Sequence, residues 1–526
     1  MTRRSSRNRL LIGAAIAVVV IGGAATYLRG RGTGSTATAG RDAGASAANS
    51  IAILPFVNTG GDPRDEYFGD GMTDELTYAL SRLKGLRIAG RSSSFAFKGK
   101  TLPAREVGRE LNVAAIIEGT VRRSGDRVRI TAQLTSTSEG EVLWADSFER
   151  ASTDVFAAQD AFTAALVSAL APMLGEKGTT NISGAEFRGT TNPRAYDLYF
   201  RGRYQWALRG ADPIDSAIKL LRESVQLDPK FARGWSGLAL AHVMRPNFNA
   251  RAVAHASFDS AETAARHALT LDSTLADAHS AIAMSRLRQF DLPAAGEEFA
   301  RARAVEPENA TAHHWSALYF GVMQDTVQSD REIDLAIALD PLSPTALNSR
   351  AALLADRRRF REATDFYERS AALGPNFAAP SSNSFRALIW SGRPDSAFTW
   401  LAGHAKILTF RARLGMLVFA AAASGRMEEA RRISAVIARD AAPPTMELDR
   451  AYAALVFGDK KSAAELFVHS LETEGTISNV IWTLCDPTLD PIQDEPAFVT
   501  FRTSHGLPKC PYSSPWPITS PGSPTK

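Results

Sequence analysis

LDSTLADAHSAIAMSRLRQFDLPAAGEEFARARAVEPENATAHHWSALYFGVMQDTVQSDREIDLAIALDP, residues 271–341, repeats itself. Leu271-Asp272-Ser273, Val305-Glu306-Pro307 and Leu339-Asp340-Pro341 stand 34 residues apart, and Leu373-Gly374-Pro375 continues the series. Leu227-Asp228-Pro229 precedes it by 44, and the extra ten residues are placed as an insertion around Arg245 to Ala254. Proline at these points ends one helix and turns the chain into the next. A period of this length marks stacked helix-turn-helix units, each burying its apolar face on its neighbours.

Two helices approach closely only where side chains are short, so small residues should share the period. Ala239, Ala283, Ala317 and Ala351 do so on the first helices. On the second helices Ala217, Ala261, Ala295, Ser329, Ala363, Ala397, Ala430 and Ala463 form another small series. Leu221, Phe299, Ile333, Tyr367 and Leu401 sit four residues later, one turn along the same face. Gly392, Gly425 and Gly458 mark the turn inside three of the units.

With Trp235 and the closing Pro229, Pro307, Pro341 and Pro375, this pattern resembles the tetratricopeptide family over residues 193–475, in about eight repeats. The resemblance implies an all-α superhelix whose first helices line a concave groove. Ser236, Ser280, His314, Asn348 and Ser382 recur on those first helices; in the family the equivalent position often touches a bound peptide, while a solvated helix face explains the same polarity.

Upstream, residues 51–175 read as a small α/β domain. Ile51 to Val57 is a short apolar run that suits a buried strand, and Leu76, Ala79, Leu80 and Leu83 then repeat at helical spacing, with Asp70 or Thr73 as N-cap and Gly85 as stop. A strand over Leu86–Ala89 and a helix over Leu102–Asn112 follow. Ala114–Arg123, Arg127–Ser136 and Glu141–Phe148 are then three strands joined by tight turns. Val128, Ile130, Ala132 and Leu134 alternate with polar residues, so the middle strand buries one face. A helix from Thr153 to Leu174 closes a mixed sheet. The stretches IAILPFVNTGGDPRDEYFGDGMTDELTYALSRLKGLRIAGRSSSFAFKGK and GRELNVAAIIEGTVRRSGDRVRITAQL resemble the TolB amino-terminal-like domain. That family's domain accompanies tetratricopeptide repeats and is appended to adenylate cyclases, winged-helix regulators and serine/threonine kinases. About 30 residues lie ahead of the tether, so the resemblance implies a sensory or scaffolding half without a catalytic one.

Residues 10–28, LLIGAAIAVVVIGGAATYL, carry no charge and as a helix would span about 28 Å, enough to cross a bilayer core. Four arginines precede the run and two follow it, which places residues 1–30 as a basic cytoplasmic end plus transmembrane anchor and the bulk in the periplasm or outside. A signal peptide cleaved near Gly23-Ala24-Ala25 would instead release the remainder as a secreted protein. Residues 31–50, rich in Gly, Ala, Ser and Thr, read as a flexible linker. The net charge of +4 is concentrated in six arginines among the first 31 residues, which argues against a nucleic-acid partner. Residues 476–526 form a C-terminal segment with a Pro-rich tail. Its cysteines, Cys485 and Cys510, form a candidate disulfide suited to an oxidising compartment; two unpaired thiols are the other reading.

Catalytic signatures are missing from the sequence. Phe97-Lys98-Gly99-Lys100-Thr101 resembles the end of a phosphate-binding loop, but Ser94 stands where its first glycine belongs. Asp62, Asp65, Glu66 and Asp70 miss the ligand spacing of a calcium loop and suit helix-start chemistry. His313-His314 is the one adjacent histidine pair, and neighbours on a helix point about 100° apart, one packed and one exposed. No catalytic, metal or cofactor site is therefore expected. The whole predicts a membrane-anchored extracytoplasmic scaffold or sensor of the bacterial envelope, binding a protein or peptide through the groove, in signalling or envelope assembly. A non-catalytic or degenerate relative of a cyclase or serine/threonine-kinase signalling protein is the alternative.

Overall fold

In the computed structural model of the chain, the described residues are 49–518 apart from 61, 63–64, 84, 125–126, 152–154, 175–187, 249–253, 375–377, 404–412, 440–446 and 474–483. They begin with a mixed sheet in the order β3-β1-β4-β5-β6, with β2 beside β4. Strands β1 (Ser50–Ile53), β2 (Val57–Asn58) and β3 (Arg87–Ile88) are parallel to their partners; β4 (Ala115–Ser124), β5 (Arg127–Ser136) and β6 (Val142–Ala151) run antiparallel. Helices α1 (Glu66–Ser81), α2 (Arg91–Phe95), α3 (Ala104–Leu111) and α4 (Val155–Leu174) complete the unit.

The period-two pattern of β5 sends Val128, Ile130, Ala132 and Leu134 into one core. There they meet Phe68, Met72, Leu76 and Leu80 of α1, and Phe162, Leu166 and Leu170 of α4, each set at the four-residue spacing of one helix face. Phe162 is the hub, edge-on to Phe56 and Phe148 at 6.0 and 5.6 Å between ring centres. The opposite face of β1 and β4 packs Ala52 and Ile116 against Val107 and Leu111 of α3, and Leu342, far along the chain, joins this second core.

Helix α1 starts earlier than its spacing suggested, so Asp70 and Thr73 lie within it and do not cap it. Thr73 Oγ1 instead accepts the Phe56 N–H at 3.0 Å, and Asp70 and Glu66 pair with Lys98 at 2.6 and 2.8 Å. Lys98, just before the glycine of the phosphate-loop-like fragment, is thereby committed to α1, whereas Lys100, at the position of that loop's lysine, is exposed and lies over the Phe97 ring at 5.8 Å. Strand β2 and helix α2 carry too few residues to leave a periodic signal.

Eight helix pairs follow among the described residues. They are α5 (Pro193–Leu208) with α6 (Ala211–Leu227), α7 (Ala232–Phe248) with α8 (Ala254–Leu271), α9 (Ala276–Arg288) with α10 (Leu292–Val305), and α11 (Ala310–Val322) with α12 (Thr326–Leu339). Then come α13 (Pro344–Asp356) with α14 (Phe360–Leu373), α15 (Ala378–Trp390) with α16 (Pro394–Gly403), α17 (Arg413–Ala423) with α18 (Met427–Arg439), and α19 (Glu447–Val456) with α20 (Lys460–Thr473). Ala217, Ala261, Ala295, Ser329, Ala363, Ala397, Ala430 and Ala463 are all fully buried, as close helix approach demands. First helices pack on the first helices of the next pair, whereas second helices barely meet one another. Such a stack closes on one side and opens on the other, so the first helices form the inner surface of a curve.

Three of the pairs carry local staples at one repeat position. The ring N–H of Trp235 donates to the carbonyl of Pro229 at 2.9 Å; at the same repeat position His279 and His313 set a ring nitrogen 3.4 and 2.8 Å from the carbonyls of Ser273 and Pro307. The other nitrogens of the two histidines meet Glu298 and Glu332 on the second helices, at 2.7 and 2.6 Å. Inside the pairs, Phe290, Gln324, Arg358, Gly392, Gly425 and Gly458 occupy one recurring turn position, all at positive φ between 58° and 86°. Glycine adopts this conformation freely, while Phe, Gln and Arg adopt it against their own preference.

The anticipated transmembrane helix requires correction. No helix of the described residues is long and apolar enough to cross a membrane. The longest, α4, has 20 residues but spends its apolar face on the sheet. Residues 10–28, the basic end and almost all of the proposed linker lie outside the described residues, as does the end of the tail from 519. The described architecture is therefore a small mixed α/β unit and an all-α solenoid, and neither the single-pass topology nor the placement in the cytoplasmic membrane, periplasm or exterior is retained.

Burial would raise the Glu332 carboxyl, but hydrogen bonding to His313 and the charge of Arg303 outweigh it and hold its pKa below the ordinary glutamate value. A group depressed in the fold stabilises above its unfolded pKa, near 4.3, and loses that contribution as pH falls through the lower folded value. Glu332→Gln should therefore lower the thermal midpoint at pH 7, with the deficit shrinking below about pH 4. Scanning both proteins from pH 3 to 7 tests this; a deficit independent of pH would contradict it.

Candidate partner-binding surface

The inner surface is already occupied. From the first pair to the end of the fourth it holds the α/β unit. Arg233 of α7 makes a two-pronged contact with Glu75 of α1, one prong at 2.9 Å, and lies over the Tyr78 ring at 3.9 Å. Burial alone would lower the Arg233 guanidinium, but the charge of Glu75 raises its pKa well above the usual value. Tyr67 donates to Asp197 at 2.6 Å. Further along, the Gly90 N–H donates to the Leu339 carbonyl at 2.8 Å, the Ser93 N–H to Asp340 at 2.7 Å, and the Leu342 N–H back to Ser93 Oγ at 2.9 Å. Glycine is required at two of these contacts: a Cβ on Gly71 would stand 2.7 Å from the Phe200 ring, and one on Gly90 2.4 Å from the Asp340 side chain.

The chain's own C-terminal segment, residues 484–518, packs on the turns inside the third and fifth pairs, at Phe290 and Arg358, and on the first helices of the sixth and seventh pairs, at Arg386 and Phe419. Its 3-10 turn (Pro487–Ile492) and helix α21 (Pro496–Ser504) are followed by extended chain. Arg358 grips it by donating to the carbonyls of Cys485 and Tyr512 at 2.6 and 3.2 Å and pairing with Asp490. Arg386 of α15 pairs with Asp486 at 2.8 Å. Trp516 stands edge-on to Phe419 of α17 at 5.2 Å, and Phe501 edge-on to Phe290 at 5.3 Å. Cys485 and Cys510 are joined as a disulfide with 5.2 Å between their Cα atoms, which closes the segment on itself.

This occupancy decides where the polar series lies. Ser236 is 4%, Ser280 0% and Asn348 8% exposed, so these three do not form a solvated strip. His314 is half-buried, and its Nε2 pairs with Ser349 Oγ at 2.7 Å. Burial, and then the charge of Arg209, lower the His314 pKa to about 4, so its ring is neutral at pH 7. Its neighbour His313 is buried against Glu332. The side chain of Ser382 lies outside the described ones. Ser236 and His314 face a common cavity of about 1310 Å³ between the α/β unit and the first pairs; Ser280 and Asn348 do not line it. The residues that hold the two occupants, Arg233, Arg358, Arg386 and Asp340, escaped the sequence reading. The one available signal was an arginine at the turn position where glycine serves in later repeats. Among the described residues no group of three His, Cys, Asp or Glu side chains is placed to hold a metal ion.

The fold of the later part is a tetratricopeptide-type solenoid. No protein-family model matches the sequence, so the resemblance of residues 50–150 to the TolB amino-terminal-like domain is not upheld as an identity, and the description as a membrane-anchored member of that group is withdrawn. A protein of Rhizobium meliloti (strain 1021) described as putative adenylate cyclase 3 is 40% identical over 193 residues, 36% of this chain. The chain spans 32% of that relative's length. Among solved structures, a thermophilic TPR protein of Thermus thermophilus is similar at 15% identity and a TM-score of 0.32, covering 37% of this chain and 99% of that one. Yeast Tom70 is similar at 16% and 0.35, covering 54% and 69%, and a tetratricopeptide repeat protein of Parabacteroides merdae at 12% and 0.32, covering 56% and 99%.

Removing one partner of a buried ion pair strands the other's charge and costs about 3–5 kcal/mol, whereas an apolar replacement of both is close to neutral. Arg233→Ala should therefore loosen the α/β unit and expose it to limited proteolysis, while Arg233→Met combined with Glu75→Leu should restore most of the resistance. Equal sensitivity of the single and double variants would show that the pair does not hold the two parts together.

Proposed function

We propose that this chain is a scaffold whose inner helical surface binds a protein partner presenting an extended, Pro-containing peptide, in competition with the chain's own C-terminal segment. The observation that carries the reading is the way Arg358 holds that segment: it donates to backbone carbonyls of Cys485 and Tyr512, a mode that any peptide of similar course satisfies, while Asp486, Asp490 and Trp516 add side-chain selectivity. A groove that grips peptide backbone through an arginine fork is suited to exchange one strand for another. The 193 residues shared with a protein described as a putative adenylate cyclase support a signalling setting for such a scaffold. The earlier expectation of membrane attachment forms no part of this reading.

A protease site inserted between residues 474 and 483 of the full chain tests it. After cleavage the segment should remain bound through gel filtration and exchange slowly with a labelled, oxidised peptide of residues 484–518, and Arg358→Ala should speed that exchange about tenfold or more, as loss of a charge-assisted hydrogen-bonded contact implies. Immediate loss of the segment from a chain that stays helical, with no uptake of the labelled peptide, would overturn the proposal.

A further inference from the structure

The cavity between the α/β unit and the first helix pairs contains a cation that has no counter-ion among the described residues. Arg209 follows α5 at φ +58°, directly before Gly210 at +101°, and this turn aims its side chain inward. Its guanidinium lies over the Trp206 ring at 3.9 Å, and among the described residues no carboxylate or carbonyl accepts from it. The two charges nearest to act on it are alike. Arg203, itself over Trp206 at 4.9 Å, is paired with Asp277 at 3.6 Å, and Arg91 with Asp74 at 2.7 Å. Burial, then Arg203 and Arg91, lower the Arg209 pKa to about 9, which leaves it charged at pH 7.

The cavity's other carboxylates serve elsewhere. Asp340 accepts from Ser93, Glu306 accepts from Asn309 and the Ala276 N–H, and Glu308 lies by Arg87. Two more side chains lining the cavity carry donors that among the described residues have no partner, the indole N–H of Trp206, whose ring lies under Arg209, and the hydroxyl of Ser236. An unpaired buried charge costs several kcal/mol unless something compensates it, and the uncompensated guanidinium of Arg209 beside the unsatisfied Trp206 N–H in a cavity points to an acceptor that is not part of the chain.

We infer that this cavity is a binding site for a small organic or inorganic oxyanion, a carboxylate or phosphate, whose charged end is received by Arg209 with Trp206. The neutral ring of His314 and the apolar side chains of Leu240 and Met244 line the same space and suit an uncharged remainder of such a ligand. The walls come from both the α/β unit and the helix pairs, so an occupant would bind the docked arrangement in preference to the separated one and stabilise it. This site is independent of the groove that holds residues 484–518.

The full chain, in dilute buffer free of other oxyanions, would be titrated with inorganic phosphate, pyrophosphate and succinate by calorimetry and thermal shift, with KCl at matched ionic strength as control. At least one probe should bind saturably, one per chain, and raise the thermal midpoint. Arg209→Gln should weaken that binding by about tenfold or more while leaving the anion-free midpoint unchanged or higher, since it removes an uncompensated charge. Arg209→Lys should retain part of the binding and the exposed control Arg194→Gln all of it. Absence of saturable binding by all three probes would overturn the inference. So would equal binding by Arg209→Gln, or a large loss of anion-free stability in that variant together with undiminished binding by Arg209→Lys.

Discussion

Close approach of helices through small side chains is the constraint from which the rest follows. Fully buried residues such as Ala239, Ala283, Ala317 and Ala351 let each first helix lie against the next, and the second helices are left apart on the outside. That asymmetry bends the stack and creates an inner surface large enough to need covering. In this chain the covering is internal: the α/β unit lies against the first four pairs, and the C-terminal segment packs on Phe290 and Arg358 in the turns of the third and fifth pairs and on Phe419 of a later first helix.

Conformational cost is concentrated where those occupants are held. Left-handed backbone is uncommon outside glycine, and an outlier is a reason to look for function. Among the described residues, Arg209, Phe290 and Arg358 are all such outliers at the turns within helix pairs. Arg358 clasps the C-terminal segment, Phe290 packs on its helix, and Arg209 projects into the cavity. The later turns, at Gly392, Gly425 and Gly458, use the residue that adopts the conformation freely. Gln324 breaks the pattern, since its side chain only returns to the Gly321 carbonyl at 2.8 Å.

The repeat was legible in the sequence because its determinants are local and periodic: proline punctuation, alanines at one spacing, and large apolar residues one turn later. The alternation in β5 was legible for the same reason. What escaped is long-range. Nothing near Glu75 announces Arg233, and nothing near Ser93 announces Asp340, because pairing across more than 150 residues leaves no period. Ser236, Ser280 and Asn348 are buried, and their burial is not legible either, because a polar residue on a helix face looks the same in sequence whether water or the rest of the chain covers it. Asp70 and Thr73 have the chemistry of helix caps, and a lysine 28 residues from Asp70 and the Phe56 N–H took up that chemistry instead.

The claim that the inner surface is filled by the chain itself is tested most directly by amide hydrogen exchange at Gly90, Ser93 and Leu342. Their N–H groups lie outside any helix or sheet ladder of their own and are bonded only across the contact between the α/β unit and the helix pairs. Docking predicts that all three are protected to a similar extent, with protection lost together when Arg233 and Glu75 are separated by mutation. Exchange at the rate of an open loop in the intact chain would contradict the account.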